Sequence, residues 1–338
     1  MKHNKQDTAQ FGRRPMGHLS LAASIALVGF LAVERTQAQV MSAKPTEEQC
    51  SMAVLSRSAG GNAKVCDGEL VQEMARRGQA FAENQMGMAS ILAIGPEFNQ
   101  KEAVAWFQKA AQQGYAPAQV NLAVMYVNGW GTPVNYGAAQ HWFREAAEKH
   151  FARAYYNLGI LYLEGKGVRR DYGEALRWFR MGAEGGDSSA QTNLGYLYDQ
   201  GWGCERNMAE AVKWYRKAAD AGNALAENNL ADLYLKGDGV KQDDGAAFAW
   251  FQKAAMQGQS GARIKLGGMY AAGKGTTRDV ETAYTWVTAA TMSGDGRGKE
   301  LQHSLEKLLT PEHVSRARDR AIGLQAAPQE LSAKGFAQ

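Results

Sequence analysis

Cysteine is scarce in this chain, with three residues among 338. That number excludes a disulfide-dense scaffold and any recurring cysteine pair. Histidine is nearly as sparse. Of six, His3 and His18 lie in the first 38 residues, and the remaining four share no metal-ligand spacing with a carboxylate or cysteine. No serine or thiol is set beside a base as a nucleophile would be, so catalysis has no visible seat and no metal or cofactor is expected. A strong charge of one sign is also missing. The formal net charge is +4, and five basic against two acidic side chains fall within residues 1–38, which leaves about +1 for the rest. That balance speaks against nucleic acid as a partner. Finally, the longest uncharged apolar run, Leu19 to Val33, covers 15 residues, short of the roughly 20 that a membrane-spanning helix needs.

That run has a different use. Lys2, Lys5, Arg13 and Arg14 precede it, and Thr36-Gln37-Ala38 follows with small residues suited to cleavage. The layout is that of a secretory signal peptide over residues 1–38, with an uncleaved anchor as the alternative. No cysteine follows the run, so a lipid anchor is unsupported. The expected location is periplasmic or secreted, with no stable membrane span after cleavage. Cys50 and Cys66 lie in the segment 39–78, where export would permit a disulfide. It would close a loop worth on the order of 3 kcal/mol, and two free thiols are the alternative.

What the chain has in abundance is repetition at 36 residues. Leu122, Leu158, Leu194, Leu230 and Leu266 recur at that interval, as do Tyr126, Tyr162, Tyr198, Tyr234 and Tyr270. Trp106, Trp142, Trp178, Trp214, Trp250 and Trp286 keep the same spacing. A fixed period of this size signals a stacked solenoid, in which each unit buries its apolar face on its neighbour. Within 151–186, Ala154, Leu158, Leu161 and Tyr162 line one face of a first helix. Gly165-Lys166-Gly167 ends it, because glycine takes left-handed backbone angles without penalty. Asp171 then caps a second helix, and its counterparts Asn99, Asn135, Asn207, Asp243 and Asp279 are all Asn or Asp. Small residues at Ala139, Ala175, Ala211, Ala247 and Ala283 let the two helices close up, and the tryptophans are expected to fill the space between units. Gly268 to Lys274 has phosphate-loop spacing, but Gly275 stands where Ser or Thr is needed, so the segment reads as another inter-helix turn.

Ala-x-x-x-Leu-Gly-x-x-Tyr, Gly-x-Gly-Val, Asp, Ala-x-x-Trp and a closing Gly resemble the Sel1-like repeat, a relative of the tetratricopeptide repeat with a longer inter-helix turn. The resemblance covers 79–294 as six units: 79–114, which is degenerate, then 115–150, 151–186, 187–222, 223–258 and 259–294. It implies an all-α, right-handed α-solenoid of helix-turn-helix repeats. After it, capping helices are expected over 295–323, followed by a disordered tail at 324–338. The resemblance also implies adaptor or scaffold surfaces, here a non-catalytic module binding a protein or peptide partner in the cell envelope. Cysteine-rich relatives suggest a cell-wall ligand binder or β-lactamase-like enzyme instead, but this chain lacks their cysteine pairs. A secreted, host-interacting virulence factor is the other alternative.

Two sets of residues are candidates for partner contact. Trp130 and Trp202 sit between the turn glycines, where other units place Lys166, Asp238 and Lys274. A position that accepts charge is expected to be exposed, and exposed aromatics anchor interfaces. The alternative is that each folds back on its neighbour's turn. Asn121, Asn157, Asn193 and Asn229, each one residue before a repeat leucine, place a row of amides along the first helices. In related superhelices those helices line the concave groove. The row could grip an extended backbone or hold the stack in register.

Overall fold

In the computed structural model, residues 68–92 and 99–326 are described. The proposed leader and the Cys50–Cys66 pair lie outside them. Among the described residues the chain is all-α: α1 (Gly68–Arg76) leads into six helical hairpins. These are α2 (Ala80–Leu92) with α3 (Gln100–Gln112), α4 (Ala116–Asn128) with α5 (Tyr136–Glu148), and α6 (Ala152–Glu164) with α7 (Tyr172–Glu184). Then come α8 (Ser188–Gln200) with α9 (Met208–Asp220), α10 (Ala224–Lys236) with α11 (Asp244–Met256), and α12 (Ser260–Ala272) with α13 (Val280–Met292). Two further helices, α14 (Lys299–Glu306) and α15 (Pro311–Ala326), pack on α13. Each helix packs chiefly on its neighbours in sequence, which is the contact pattern of a solenoid.

Every hairpin helix has 13 residues, about 20 Å at 1.5 Å per residue. Such helices are marginal alone, and their ends are set by local chemistry. Asn99, Asn135, Asp171, Asn207, Asp243 and Asp279 each accept a backbone N–H in the first turn of the second helix. That satisfies a donor that the helix itself leaves free. The first helices of the five later hairpins end on glycines with φ between 66° and 73°.

A second glycine in each of these turns joins one repeat to the one before. At Gly203 (φ 74°) a Cβ would come within 2.3 Å of the Tyr172 carbonyl oxygen, at the first residue of α7. Gly131 meets Gln100 O at the same distance. No side chain fits there, so at these turns main chain lies against main chain, while Gly167 and Gly239 face the Cβ atoms of Tyr136 and Met208.

The core runs the length of the stack. Leu122, Leu158, Leu194, Leu230 and Leu266 are fully buried, as are Ala103, Ala139, Ala175, Ala211, Ala247 and Ala283. The tryptophans depart from expectation. Trp214 and Trp286 are buried, while Trp106, Trp142, Trp178 and Trp250 are half-buried. The residue after each tryptophan holds the deepest site: Phe107, Phe143, Phe179, Tyr215, Phe251 and Val287. The tryptophans form a rim beside this column, where Lys109, Arg177, Lys213 and Lys253 lie over their rings.

The C-terminal end also differs. The final helix continues past the expected end at 323 to Ala326, so 324–326 is helical rather than disordered, and the rest of the expected tail lies outside the described residues. The reason is Arg263, which is 1% exposed. Its guanidinium donates to Ala255 O, Ala289 O, Ser293 Oγ and Leu324 O. Three helix C-termini, those of α11, α13 and α15, thus turn carbonyls toward one buried cation. The partial negative charge at a helix end makes this favourable.

Candidate interaction surface

The inter-helix turns form one edge of the solenoid. Trp130 lies in the second repeat's turn, where its backbone N–H donates to Met125 O and its ring packs on the cluster holding Phe107, Leu122 and Met125. Trp202 stacks on Tyr172 of the preceding repeat, with centroids 4.9 Å apart and planes inclined at 30°, and meets the edge of Tyr196 at 5.5 Å. Both tryptophans are half-buried, which corrects the expectation of exposure. Each folds back on a neighbour, as the alternative reading held. The position still tolerates charge because it is a rim. Lys166 pairs with Glu164 at 2.7 Å, Asp238 with Arg206 at 2.8 Å and Lys274 with Asp244 at 3.3 Å.

Beside Trp130 the edge opens into a hollow of about 480 Å³ lined by Asn99, Gln100, Lys101, Gly129, Gly131, Thr132 and Pro133. Val134, next along, is 52% exposed. A hollow of similar size lies between Arg216, Tyr234 and Val240–Asp243, three repeats further on. The Arg216 guanidinium donates to the Tyr234 hydroxyl, as Arg180 does to Tyr198 at 2.8 Å. The edge therefore carries arginines held in place by tyrosine hydroxyls.

The asparagine row makes hydrogen bonds within the stack. Asn121 and Asn157 are buried. Asn121 Nδ2 donates to Asn84 Oδ1 at 2.8 Å, joining the first and second repeats. Asn157 and Asn193 donate to the carbonyls of Arg153 and Ser189, one turn back in their own helices. Asn229 accepts from Asn228 at 3.3 Å and interacts with the Tyr215 hydroxyl. Lys265, which ends the row, pairs with Asp232.

A second polar column escaped sequence reading. Glu83, Gln119, Tyr155, Gln191, Glu227 and Arg263 stand 36 residues apart, each less than 9% exposed. Gln119, Tyr155, Gln191 and Arg263 each donate to the carbonyl eight residues earlier, at the end of the preceding second helix. Four rungs thus tie repeat to repeat by the same bond. A polar residue at one fixed register position of an otherwise apolar helix was the available signal.

Cys204 is half-buried in its turn, and burial pushes its thiol pKa up. Gly273 is the left-handed cap of α12, and the adjoining Lys274 is engaged by Asp244. Among the described residues no group of three His, Cys, Asp or Glu is placed to hold a metal ion, and no helix is long and apolar enough to cross a membrane.

A stack of uniform helical hairpins, five of them with a left-handed glycine closing the first helix, defines a tetratricopeptide-like α-solenoid. The chain belongs to the Sel1 repeat family. Sel1 repeats match at 80–115, 116–151, 152–187, 188–223, 224–259 and 260–295, one residue later than the frame read from the sequence. A Sel1 repeat protein from Oxalobacter formigenes is 30% identical, with a TM-score of 0.61 over 67% of this chain and all of that one. The protein c5321, a protective antigen of uropathogenic Escherichia coli strains displaying an SLR fold, is 27% identical over 87% of this chain and 73% of its own, with a TM-score of 0.47. A putative Sel1 repeat protein from Klebsiella pneumoniae is 22% identical over 60% of this chain and 99% of its own, with a TM-score of 0.41. No curated protein matches the sequence. Sel1 repeat proteins generally mediate protein–protein interaction, and the fold is typically a non-catalytic scaffold.

Proposed function

We propose that this protein is an exported, non-catalytic scaffold that binds a protein or peptide partner in the cell envelope through the turn edge and groove of its solenoid. The observation that carries the reading is the turn edge itself. Its first hollow is lined by Lys101 and Pro133 among others, and the exposed Val134 follows Pro133 in the chain. An apolar spot rimmed by polar and charged groups suits a partner's side chain better than it suits solvent. The bonds holding the asparagines argue for the edge over the groove as the first place of contact. Export rests on the leader-like residues 1–38, and the expected mature protein begins near residue 39.

The test is crosslinking in cells of the tagged mature protein, comparing wild type with Val134→Asp plus Lys101→Glu. Both side chains are surface groups, so helicity and melting should hold. A crosslinked partner seen with wild type and lost in the double variant supports the edge as the site. A partner retained in both shifts the site to the groove. Absence of any specific partner overturns the scaffold reading. Mass measurement of the protein recovered from the envelope fraction checks the leader, since a chain still carrying residues 1–38 contradicts cleavage.

A further inference from the structure

The buried polar column contains an exception that its neighbours make interpretable. At the fifth repeat the rung is Glu227, 3% exposed. Its four donating counterparts each give a hydrogen to a carbonyl eight residues back. The corresponding carbonyl here is Ala219 O, at the end of α9, which already accepts the Gly222 N–H at 2.9 Å. In the other rungs the equivalent carbonyl likewise accepts turn N–H groups and takes the rung as a further, side-chain donor. A carboxylate has no hydrogen to give, whereas a carboxylic acid has one.

We propose that Glu227 is a proton-operated rung: as the acid it completes the joint between the fourth and fifth repeats, and on ionising it loosens that joint. In the acid form one oxygen donates toward Ala219 O, and the other accepts from Gln257 Nε2, which lies 2.7 Å from Glu227 Oε2. In the ionised form the donor is lost, Ala219 O keeps only the backbone N–H groups of its own turn, and an anion is left in the interior. Among the described residues, Lys253 of α11 is the charge that acts on this carboxyl, and it favours ionisation. Lys253 is also drawn over the Trp250 ring, 3.9 Å from its centroid. On α9, Lys217 lies over Trp214. On α12, Arg263 is engaged by carbonyls and Ser293. On α10 itself, Asp232 pairs with Lys265. Burial outweighs Lys253 and Gln257, raising the carboxyl to about 7.

The direction in pH follows from linkage. From the ordinary carboxylate range up to about 7, an opened joint releases a proton that the closed joint keeps. Opening therefore grows more favourable as pH rises, by roughly tenfold per unit, and levels off above the folded value. Glu83, the first rung, is also buried and raised by desolvation, with Gln113 2.6 Å away, so the N-terminal end shares the chemistry.

The experiment compares the full chain with Glu227→Gln, which installs the residue that Gln119 and Gln191 already supply at other rungs. Hydrogen exchange at the Gly222 amide, corrected for intrinsic base catalysis, reports the joint. The expected result is opening that rises roughly fortyfold between pH 5 and 7 in wild type and stays flat in Glu227→Gln. The variant's melting temperature, relative to wild type, should climb over the same interval. In a second variant, Gln191→Glu, the same pH dependence should appear at the Gly186 amide, between the third and fourth repeats. A variant-minus-wild-type melting difference that does not change with pH, or equal pH dependence of Gly222 exchange in both proteins, overturns the proposal.

Discussion

The ring of Phe179 lies against the backbone of Gly159. A Cβ at residue 159 would come within 2.6 Å of ring carbons Cδ1 and Cε1, a distance real Cβ contacts do not reach. Since Phe179 is fully buried, the ring has no free space to retreat into. Gly159→Ala is therefore expected to destabilise the protein by about 1–2 kcal/mol, the crowding outweighing the gain in helix propensity. Urea unfolding of the two proteins measures it, and an alanine variant as stable as wild type would show that the stack yields at this point.

The two adjacent aromatics of a repeat should differ in cost. Phe251 is fully buried, while Trp250 is half-buried under Lys253. Phe251→Ala should cost about 3–5 kcal/mol and Trp250→Ala roughly half as much. Paired thermal melts test the order, and a larger loss at Trp250 would contradict the burial pattern.

His150 is the one non-glycine with positive φ among the described residues, at 57°. Gly114, Gly186, Gly222, Gly258 and Gly294 hold the same position in the other repeats, with φ of 78° to 89°. His150→Gly removes a left-handed penalty of about 1–2 kcal/mol and loses the 3.2 Å contact between its ring and Tyr155. Tyr155 retains its bond to Ala147 O. A net gain of about 0.5–1 kcal/mol is expected, read as a higher melting temperature.

Arg263→Met should release the last turn of α15. The carbonyls of Ala255, Ala289 and Leu324 lose a charged donor, at a cost of about 1–3 kcal/mol. Limited proteolysis near Leu324 should accelerate more than cleavage elsewhere, and unchanged cleavage there would count against Arg263 as the anchor.

The architecture was legible because each repeat announces its ends. Six Asn or Asp caps and the turn glycines encode backbone geometry directly, and the structure places all six caps on helix N-termini. Depth was harder to read. Trp178 and Phe179 are adjacent on one helix, and only their partner separates them. The clue was Gly159, a glycine inside a helix, whose missing side chain makes room for Phe179. The tryptophans of the edge were misread because Lys166 and Asp238 at the same position suggested solvent on all sides. What draws Trp202 inward is Tyr172, thirty residues earlier and in another repeat. The polar column and the longer final helix share one cause. Buried carbonyls at helix ends require donors, and no periodicity of apolar residues reports that requirement.

The glycine contact between successive turns, with Gly203 against the Tyr172 carbonyl and Gly131 against that of Gln100, uses no side chain from either repeat. The close approach at those two turns is thus set by main-chain atoms, while under the proposed function what the edge selects is set by residues such as Lys101, Val134 and Arg216. Close approach and selectivity then lie at separate positions. Substitutions at the second set can retune what is recognised without bending the framework that presents it.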